Sequence, residues 1–183
     1  MEKAIESPRR YRALKYSTFA MTLSVDCYLL GPTSDAPNSR LPVIHYRNVL
    51  PQPQTEETTT QFLTRTGWEK RGTWGHIGEP HVHPNTHECY GIFQGHSTLL
   101  LGKINDGGGI QVDVNTGDVI VLPAGTAHSS LRSSDDYRYI GVYPKECPKW
   151  TNEIGKRPPA SFVQTIGAVA MPQADPVYGK QGP

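Results

Sequence analysis

One short stretch of the sequence, GHIGEPHVHPNTHECYGIFQG (residues 75–95), holds four of the chain's seven histidines. His81 and His83 are two positions apart, so on a β-strand both side chains point to the same face. Glu88 follows in the same stretch, and His128 lies much later, in the segment LPAGTAH. Imidazole nitrogens and a carboxylate oxygen are good ligands for Fe, Zn, Ni, Mn or Co. These four residues predict a site for one divalent transition metal, with coordination positions open to water or substrate.

The histidines have two other interpretations besides a catalytic metal site. A structural zinc site is usually closed and rich in thiolate, whereas the nearest cysteine, Cys89, follows Glu88 directly and faces the other side of a regular strand. Single histidines are most often ordinary surface or hydrogen-bonded residues, but the combined spacing is much more specific than that. By the same alternation His87 points away from Glu88, and we interpret it as a supporting or surface residue, while His76 has the wrong parity for a ligand.

The same alternation of strand faces extends the predicted site beyond the ligands. Glu79 shares the face of His81 and His83 and is a candidate general acid or base; the alternative is an exposed loop carboxylate. Arg132 shares the face of His128 and is a candidate catalytic clamp for a carboxylate or enolate, unless a neighbouring aspartate holds it. The candidate substrate contacts on these faces and among the nearby aromatic residues are Tyr90, Gln94, Ser130 and Trp74.

The elements that must position these residues are mostly strands. Prolines and glycines divide the chain into short segments, many of them β-branched or alternating. A short amphipathic helix is expected within 54–68 and a helical turn within 160–170. The turn-rich NDGGG indicates a hairpin. The predicted strands lie at 41–47, 97–104, 109–114, 118–123 and 137–143, a series that indicates an all-β sandwich or small barrel.

Composition narrows the classes of partner. Lysine and arginine total 18 against 17 acidic residues, a net charge of +1, so nucleic acid is not an expected partner. No apolar run is long enough to span a membrane, and the N-terminus has no apolar core of a secretory signal. Three cysteines without a CxxC spacing suit a reducing compartment. We expect a soluble, cytoplasmic protein.

The motifs resemble those of the cupin family. GHIGEPHVHPNTHECYGIFQG is similar to the first cupin motif, from Gly75 to Gly95, and GDVIVLPAGTAHSSLR to the second, from Gly117 to His128. The second motif usually ends in asparagine, where this chain has Arg132. The resemblance implies a jelly-roll β-barrel with one or two short peripheral helices. It also implies that the metal ligands are His81, His83, Glu88 and His128.

A wider resemblance covers residues 25–183, which we expect to form a single domain preceded by an extension over 1–24. Segments such as PNSRLPVIHYRNVLPQP, GTWG and ADPVYG are similar to small single-domain cupins of the YjlB type in the RmlC-like superfamily, particularly fungal members. Edge strands favour pairing of two copies, so a homodimer is expected.

Cupins include isomerases, dioxygenases, decarboxylases and proteins that only bind ligands, so the fold does not decide the reaction. We expect a metal-dependent enzyme acting on a small organic molecule by isomerisation, proton transfer or cyclisation. Its resemblance to fungal cupins suggests tailoring in secondary metabolism. The alternatives are an Fe(II) dioxygenase and a non-catalytic small-molecule-binding protein.

Overall fold

The computed structural model describes residues 10–12, 25–105 and 108–182. They form ten strands, two short α-helices and one 3₁₀ turn. The strands are β1 (Arg10–Arg12), β2 (Val25–Tyr28), β3 (Val43–Tyr46), β4 (Trp68–Trp74), β5 (Glu88–Gln94), β6 (His96–Leu101), β7 (Ile110–Asn115), β8 (Val119–Leu122), β9 (His128–Ser133) and β10 (Arg138–Pro144). The helices are α1 (Glu56–Thr64) and α2 (Val163–Gly167), and the 3₁₀ turn spans Pro159–Phe162.

Two antiparallel sheets face each other as a jelly-roll β-barrel. The larger sheet has the order β1-β2-β3-β8-β5-β10-β4, and the smaller has the order β7-β6-β9. The smaller sheet gains two isolated bridges, because His81 pairs with His128 and Val82 pairs with Glu153. Neighbouring strands in these sheets are often far apart in sequence, as a jelly roll requires.

The barrel core lies between the two sheets. Alternate residues of β5 and β8 point inward, and they meet alternate residues of β6 and β7 from the smaller sheet. The buried aliphatic members of this core are Val43, Ile92, Leu99, Leu101, Val112, Val114, Ile120 and Leu122. Burial of these side chains stabilises the barrel mainly through the hydrophobic effect.

The outer face of the larger sheet is also covered. Leu63 of α1 packs there with Trp68, Cys89 and Val142. Helix α1 sits so close to β5 that a side chain at Gly91 would lie 2.6 Å from Leu63. Because both faces of this sheet are buried, its central strands carry apolar residues on both sides.

Local sequence explains where α1 begins. Thr55 is its N-cap: its side chain accepts from the backbone N–H of Thr58, whose hydroxyl in turn accepts from the Thr55 N–H. Glu56 and Glu57 lie in the first turn, where their negative charges interact favourably with the helix dipole and stabilise the helix. The capping box holds the helix in register over the sheet.

The predicted fold class is confirmed. Each predicted strand overlaps an observed one, the helix expected within 54–68 is α1, and the turn expected within 160–170 is the 3₁₀ turn with α2. Residues 10–12, in the predicted extension, form edge strand β1 paired with β2, whereas 1–9 and 13–24 lie outside the described residues. Within the described part of the chain, no helix is both long and apolar enough to cross a membrane.

Candidate metal centre

Three of the four predicted ligands are brought together by one short backbone pairing. His81 and His128 exchange backbone hydrogen bonds of 3.1 and 3.0 Å, which fixes their side chains next to each other. His83 follows two residues along the same face. One ring nitrogen of each of these three histidines lies within 4.8 Å of the others, so the triad can bind a metal ion. All three side chains are buried.

Hydrogen bonds from the ring nitrogens define which tautomer each histidine adopts. The Nδ1 atom of His81 lies 2.8 Å from the carbonyl oxygen of Glu79, that of His83 lies 3.1 Å from the carbonyl of Thr151, and that of His128 lies 2.9 Å from the carbonyl of Thr126. A carbonyl oxygen only accepts hydrogen bonds, so each Nδ1 must carry the proton. In the neutral ring, each Nε2 then offers a lone pair.

Glu88 adds a carboxylate oxygen to these lone pairs. Its Oε2 atom lies 3.2 Å from Nε2 of His83 and 3.3 Å from Nε2 of His128. Among the residues that the structure describes, neither Oε2 of Glu88 nor Nε2 of His128 has a hydrogen-bond partner, although both atoms are fully buried. The other carboxylate oxygen, Oε1, accepts a short hydrogen bond from the hydroxyl of Tyr143.

Burial and neighbouring charges shift the pKa values of this cluster. Burial, with a further contribution from the adjacent His128, lowers the pKa of His81 to about 3, so this ring is neutral at pH 7. Burial alone would raise the pKa of Glu88, but His83 and His128 outweigh it and the pKa is lowered. Burial also opposes protonation of His83, yet Glu88 raises the pKa of this ring. The carboxylate is therefore ionised.

The donor set fits a divalent transition metal. Buried polar atoms normally have hydrogen-bond partners, but when the rings are neutral the described residues place only acceptors against one another here, the Nε2 atoms and Oε2 of Glu88. A cation among these acceptors would satisfy all of them, and three imidazole nitrogens with one carboxylate oxygen are ligands that such metals accept. The cluster is therefore suited chemically to a metal ion.

A cavity of about 220 Å³ opens above the cluster. The residues around it are mostly aromatic or aliphatic with a few polar groups, which is typical of a site for a small organic ligand. Its lining residues are Trp74, Ile77, Glu79, His81, His83, Glu88, Tyr90, Tyr139, Tyr143, Trp150, Asn152 and Ile154.

Three of the predicted non-ligand residues line this cavity: Glu79, Tyr90 and Trp74. Glu79 is exposed at the cavity mouth, and Tyr90 is buried against Tyr139 with 4.1 Å between ring centroids. The indole of Trp74 lies on two glycines paired across β4 and β10. A Cβ at Gly72 or Gly141 would come within 2.3 or 2.2 Å of it, so these positions must lack a side chain.

The predicted inward orientation of Arg132 is wrong. Strand β9 pairs with β6 through Leu99 and Ser130, but the next pair along is Thr98 with Arg132, which leaves Leu131 as an extra residue. Such a β-bulge inverts the alternation of faces beyond it. Arg132 therefore shares the outer face with Thr98, is exposed, and does not line the cavity.

Two predicted substrate contacts also lie away from the cavity. Gln94 is exposed at the last position of β5, roughly 20 Å along the strand from Glu88 at about 3.3 Å per residue, so it shares the face of Glu88 but lies too far along the strand to reach the cavity. Ser130 does point inward, but its hydroxyl accepts a 3.2 Å hydrogen bond from the backbone N–H of Ile77. Ser130 thus holds a cavity residue and does not itself line the cavity.

Sequence reasoning missed a wall of the cavity that comes from the segment 147–157 after β10. Trp150 of this segment stacks on Tyr143 with 5.1 Å between centroids and meets Trp74 edge-on at 5.9 Å. Asn152 and Ile154 complete the wall. The segment has no strand alternation to indicate its orientation; a tryptophan among polar residues, in CPKWTNEI, was the only available signal.

The remaining histidines of the opening stretch have supporting roles. His87 is buried, and its Nδ1 atom accepts a 3.1 Å hydrogen bond from the backbone N–H of Ala124. Burial lowers its pKa. His76 is exposed, with Nδ1 3.0 Å from the hydroxyl oxygen of Ser133. Neither belongs to the group of three histidines that can bind a metal.

A jelly-roll barrel with three histidines and a glutamate converging inside its mouth defines a cupin. The protein YjlB of Bacillus subtilis (strain 168) is 30% identical over 144 residues, which cover 78% of this chain and 82% of YjlB. The chain belongs to the same family as YjlB. This relative is bacterial, and closeness to fungal members stays a prediction. No model of a known protein family matches the chain.

Solved structures give more distant likenesses. RmlC from Streptococcus suis, in complex with dTDP-D-xylose, is 14% identical, with a TM-score of 0.36 over 66% of this chain and 74% of RmlC. Procruciferin, the 11S globulin of Brassica napus, is 10% identical, with a TM-score of 0.35, and the match covers 62% of this chain but only 22% of procruciferin. Both likenesses are too distant to support a conclusion about function.

Proposed function

We propose that this protein is a metal-dependent enzyme that isomerises or cyclises a small organic molecule by proton transfer. The observation that carries the proposal is a buried cluster of hydrogen-bond acceptors at the base of a cavity lined in part by five tryptophan and tyrosine rings. His81, His83, Glu88 and His128 would hold the ion. A bound divalent metal would supply Lewis acidity toward a substrate oxygen or, as Fe(II), redox chemistry with O2.

The residues around the cluster suit this chemistry. Glu79 is the only carboxylate among the cavity-lining residues outside the ligand set, and we assign it the transfer of a proton to or from a carbon next to the substrate carbonyl. The rings of Trp74, Trp150 and Tyr139 exclude water from one side of the substrate. Tyr143 holds one oxygen of Glu88 and leaves the other facing the histidines.

A dioxygenase is the second candidate, because the same ligand set accepts Fe(II). A protein that binds a small molecule without changing it is the third, since a suitable cavity alone does not require a reaction. A role in secondary metabolism and the pairing of two copies through an edge strand, with β4 at one end of the larger sheet, stay predictions.

The test uses aromatic α-hydroxyketones in D2O with metal-free protein and with protein loaded with Zn²⁺, Co²⁺ or Fe(II). We expect deuterium incorporation, followed by proton NMR, only with loaded protein, and a loss of about 100-fold in Glu79→Gln, as for removal of a general base. Equal exchange by metal-free protein would contradict the proposal. Consumption of O2 by the Fe(II) form without deuterium exchange would favour the dioxygenase, and binding without either reaction would favour the binding protein.

A further inference from the structure

We infer that the ligand of this cavity is a compact, non-phosphorylated molecule with an oxygen donor at one end and an amino group at the other, joined by a planar apolar part. This inference rests on the proposed function, because it places the oxygen donor at the metal ligands. It goes further by assigning Glu79, Trp74 and Trp150 a role in selecting the ligand.

The distribution of charge along the cavity is the first argument. Its lining includes two carboxylates, Glu79 and Glu88, and no lysine or arginine. With a divalent ion beside Glu88 and neutral histidines, the base of the cavity carries a net charge of +1. Glu79 places a charge of −1 at the mouth. A ligand that matches this field carries its negative or electron-rich end inward and its positive end outward.

The basic residues near the cavity are held by other groups or do not line it. The guanidinium of Arg71 lies 5.4 Å from the centroid of the Tyr143 ring, but it donates to the Glu69 carboxylate and to two backbone carbonyls. The Lys149 ammonium lies 6.0 Å from the centroid of the Trp150 ring and does not line the cavity. Ligands with a phosphate or a second carboxylate would therefore find no basic side chain among the lining residues to bind them.

The aromatic walls are the second argument. Trp74 and Trp150 are perpendicular, with 88° between their planes, and Tyr143 stacks on Trp150. The faces and edges of such rings favour flat apolar groups, and their faces also attract cations. An amino group near Glu79 would thus gain from both the carboxylate and the rings.

The size of the cavity limits the ligand further. At about 220 Å³ it lies below the range of roughly 300–1,000 Å³ that drug-sized ligands occupy. A single ring with one short substituent at each end fits this volume better than a nucleotide or an oligosaccharide does.

Three hydroxamates with the same metal-binding group test the inference: benzohydroxamic acid, its 4-aminomethyl derivative and its 4-carboxy derivative. Their binding to Zn²⁺-loaded protein would be measured by calorimetry. We expect the aminomethyl compound to bind about tenfold more tightly than the carboxy compound, since attraction of one and repulsion of the other by an exposed carboxylate together reach about that factor.

Variants of Glu79 separate its charge from its size. In Glu79→Gln the preference for the aminomethyl compound should fall to within about twofold, and in Glu79→Lys it should reverse. Glu153→Gln is the matched control, because this carboxylate lies on the same segment as Trp150 but is already paired with Arg157. The preference should persist in the control.

The outcomes distinguish failure of the metal site from failure of the inference about the ligand. If the protein takes up no Zn²⁺, or if none of the three hydroxamates binds the loaded protein, no metal is open to a ligand here and the proposed function fails. If all three bind with similar affinity, or if Glu79→Gln keeps the full preference, the metal site stands and the inference about the ligand is overturned.

Discussion

Two buried groups of histidine and carboxylate occur in this barrel, and they are built in opposite ways. On β3, His45 is fully buried and its Nε2 atom donates to Asp118 over 3.0 Å. Asp118 also accepts from the backbone N–H groups of Asn48 at 2.8 Å and Asn115 at 3.0 Å. At the barrel mouth, Glu88 receives one donor, Tyr143, and its second oxygen faces histidine lone pairs.

The difference separates a structural polar group from a functional one. Donors surround Asp118, so the protein itself satisfies the charge, and the pair ties the start of β8 to the end of β3. The second oxygen of Glu88 faces histidine nitrogens instead, and the described residues give it no hydrogen-bond partner. A bound cation could neutralise its charge. Both groups are buried and both combine histidine with a carboxylate; the balance of donors and acceptors separates them.

The largest expected effect is on metal affinity, and it should follow from neutralising Glu88 but not from neutralising Asp118. We expect Glu88→Gln to weaken metal binding at least about 1,000-fold, roughly 4 kcal/mol, because a charged ligand is lost. Its stability without metal should be unchanged or higher by about 1 kcal/mol, since the new amide can donate to the orphaned acceptors. Competition with a chromophoric chelator and urea unfolding measure the two properties.

Asp118→Asn is the matched control for that experiment. It removes the same charge from the other group and should leave metal affinity within about threefold of wild type. Loss of metal binding in Asp118→Asn at a temperature where it is folded would contradict the distinction between the two groups.

Removing the Asp118 side chain should have the next largest effect, this time on folding. We expect Asp118→Ala to lower the free energy of unfolding by about 3 kcal/mol, because one buried and two partly buried donors lose their acceptor. Asp113→Ala provides the comparison: this aspartate accepts from Thr98 at the surface, and its loss should change stability by less than about 0.5 kcal/mol. Equal effects of the two variants, in urea unfolding at pH 7, would mean that the Asp118 network is not a structural tie.

The hydroxyl of Tyr143 should matter for metal binding by an intermediate amount. Because it orients Glu88, we expect Tyr143→Phe to weaken Co²⁺ or Zn²⁺ binding about 10- to 100-fold, as for other groups that orient a ligand. Tyr46→Phe is the matched control, since it removes a tyrosine hydrogen bond to Asp175 of 2.6 Å outside the barrel. It should reduce stability but not metal affinity; the same metal affinity in both variants would show that orientation of Glu88 is unimportant.

The smallest predicted effect is on the stability of the fold at low pH. Burial tends to raise the pKa of Asp118, but the hydrogen bonds from His45 and from two backbone N–H groups outweigh it, and the pKa is lowered. A lowered folded-state pKa stabilises the fold at pH values above the unfolded value of about 3.9, and this contribution is lost as the pH falls through the folded value. Metal-free wild type should therefore lose more stability than Asp118→Asn between about pH 5 and pH 3. If the free energy of unfolding fell equally with pH in the two proteins, the contribution assigned to Asp118 would be contradicted.

The sequence predicted the parts of the site that depend on regular strand alternation. His81 and His83 are two residues apart, so alternation alone puts both on one face. Glu88, five residues after His83, and His128 follow from the residue types and the family motif. Alternation failed for Arg132, because the bulge at Leu131 in β9 depends on pairing with β6. The spacing of residues within β9 alone does not reveal such a bulge.

Other parts of the site depend on contacts between distant segments. Trp150 reaches the cavity because Thr151 donates its backbone N–H to Asn85 and Glu153 pairs with Val82. The position of Trp74 depends on Gly141, far along the chain. Such placements follow from tertiary packing, so composition and periodicity along one segment do not determine them.

The most direct test of the metal site is the metal content of the protein purified without a histidine tag, measured by mass spectrometry beside that of His81→Ala. We expect about one transition-metal ion per chain in the wild type and less than about a tenth of that in the variant, as for a mononuclear site that loses a ligand. A wild-type protein that contains no metal, and takes up no more Zn²⁺ or Co²⁺ on dialysis than His81→Ala does, would contradict it.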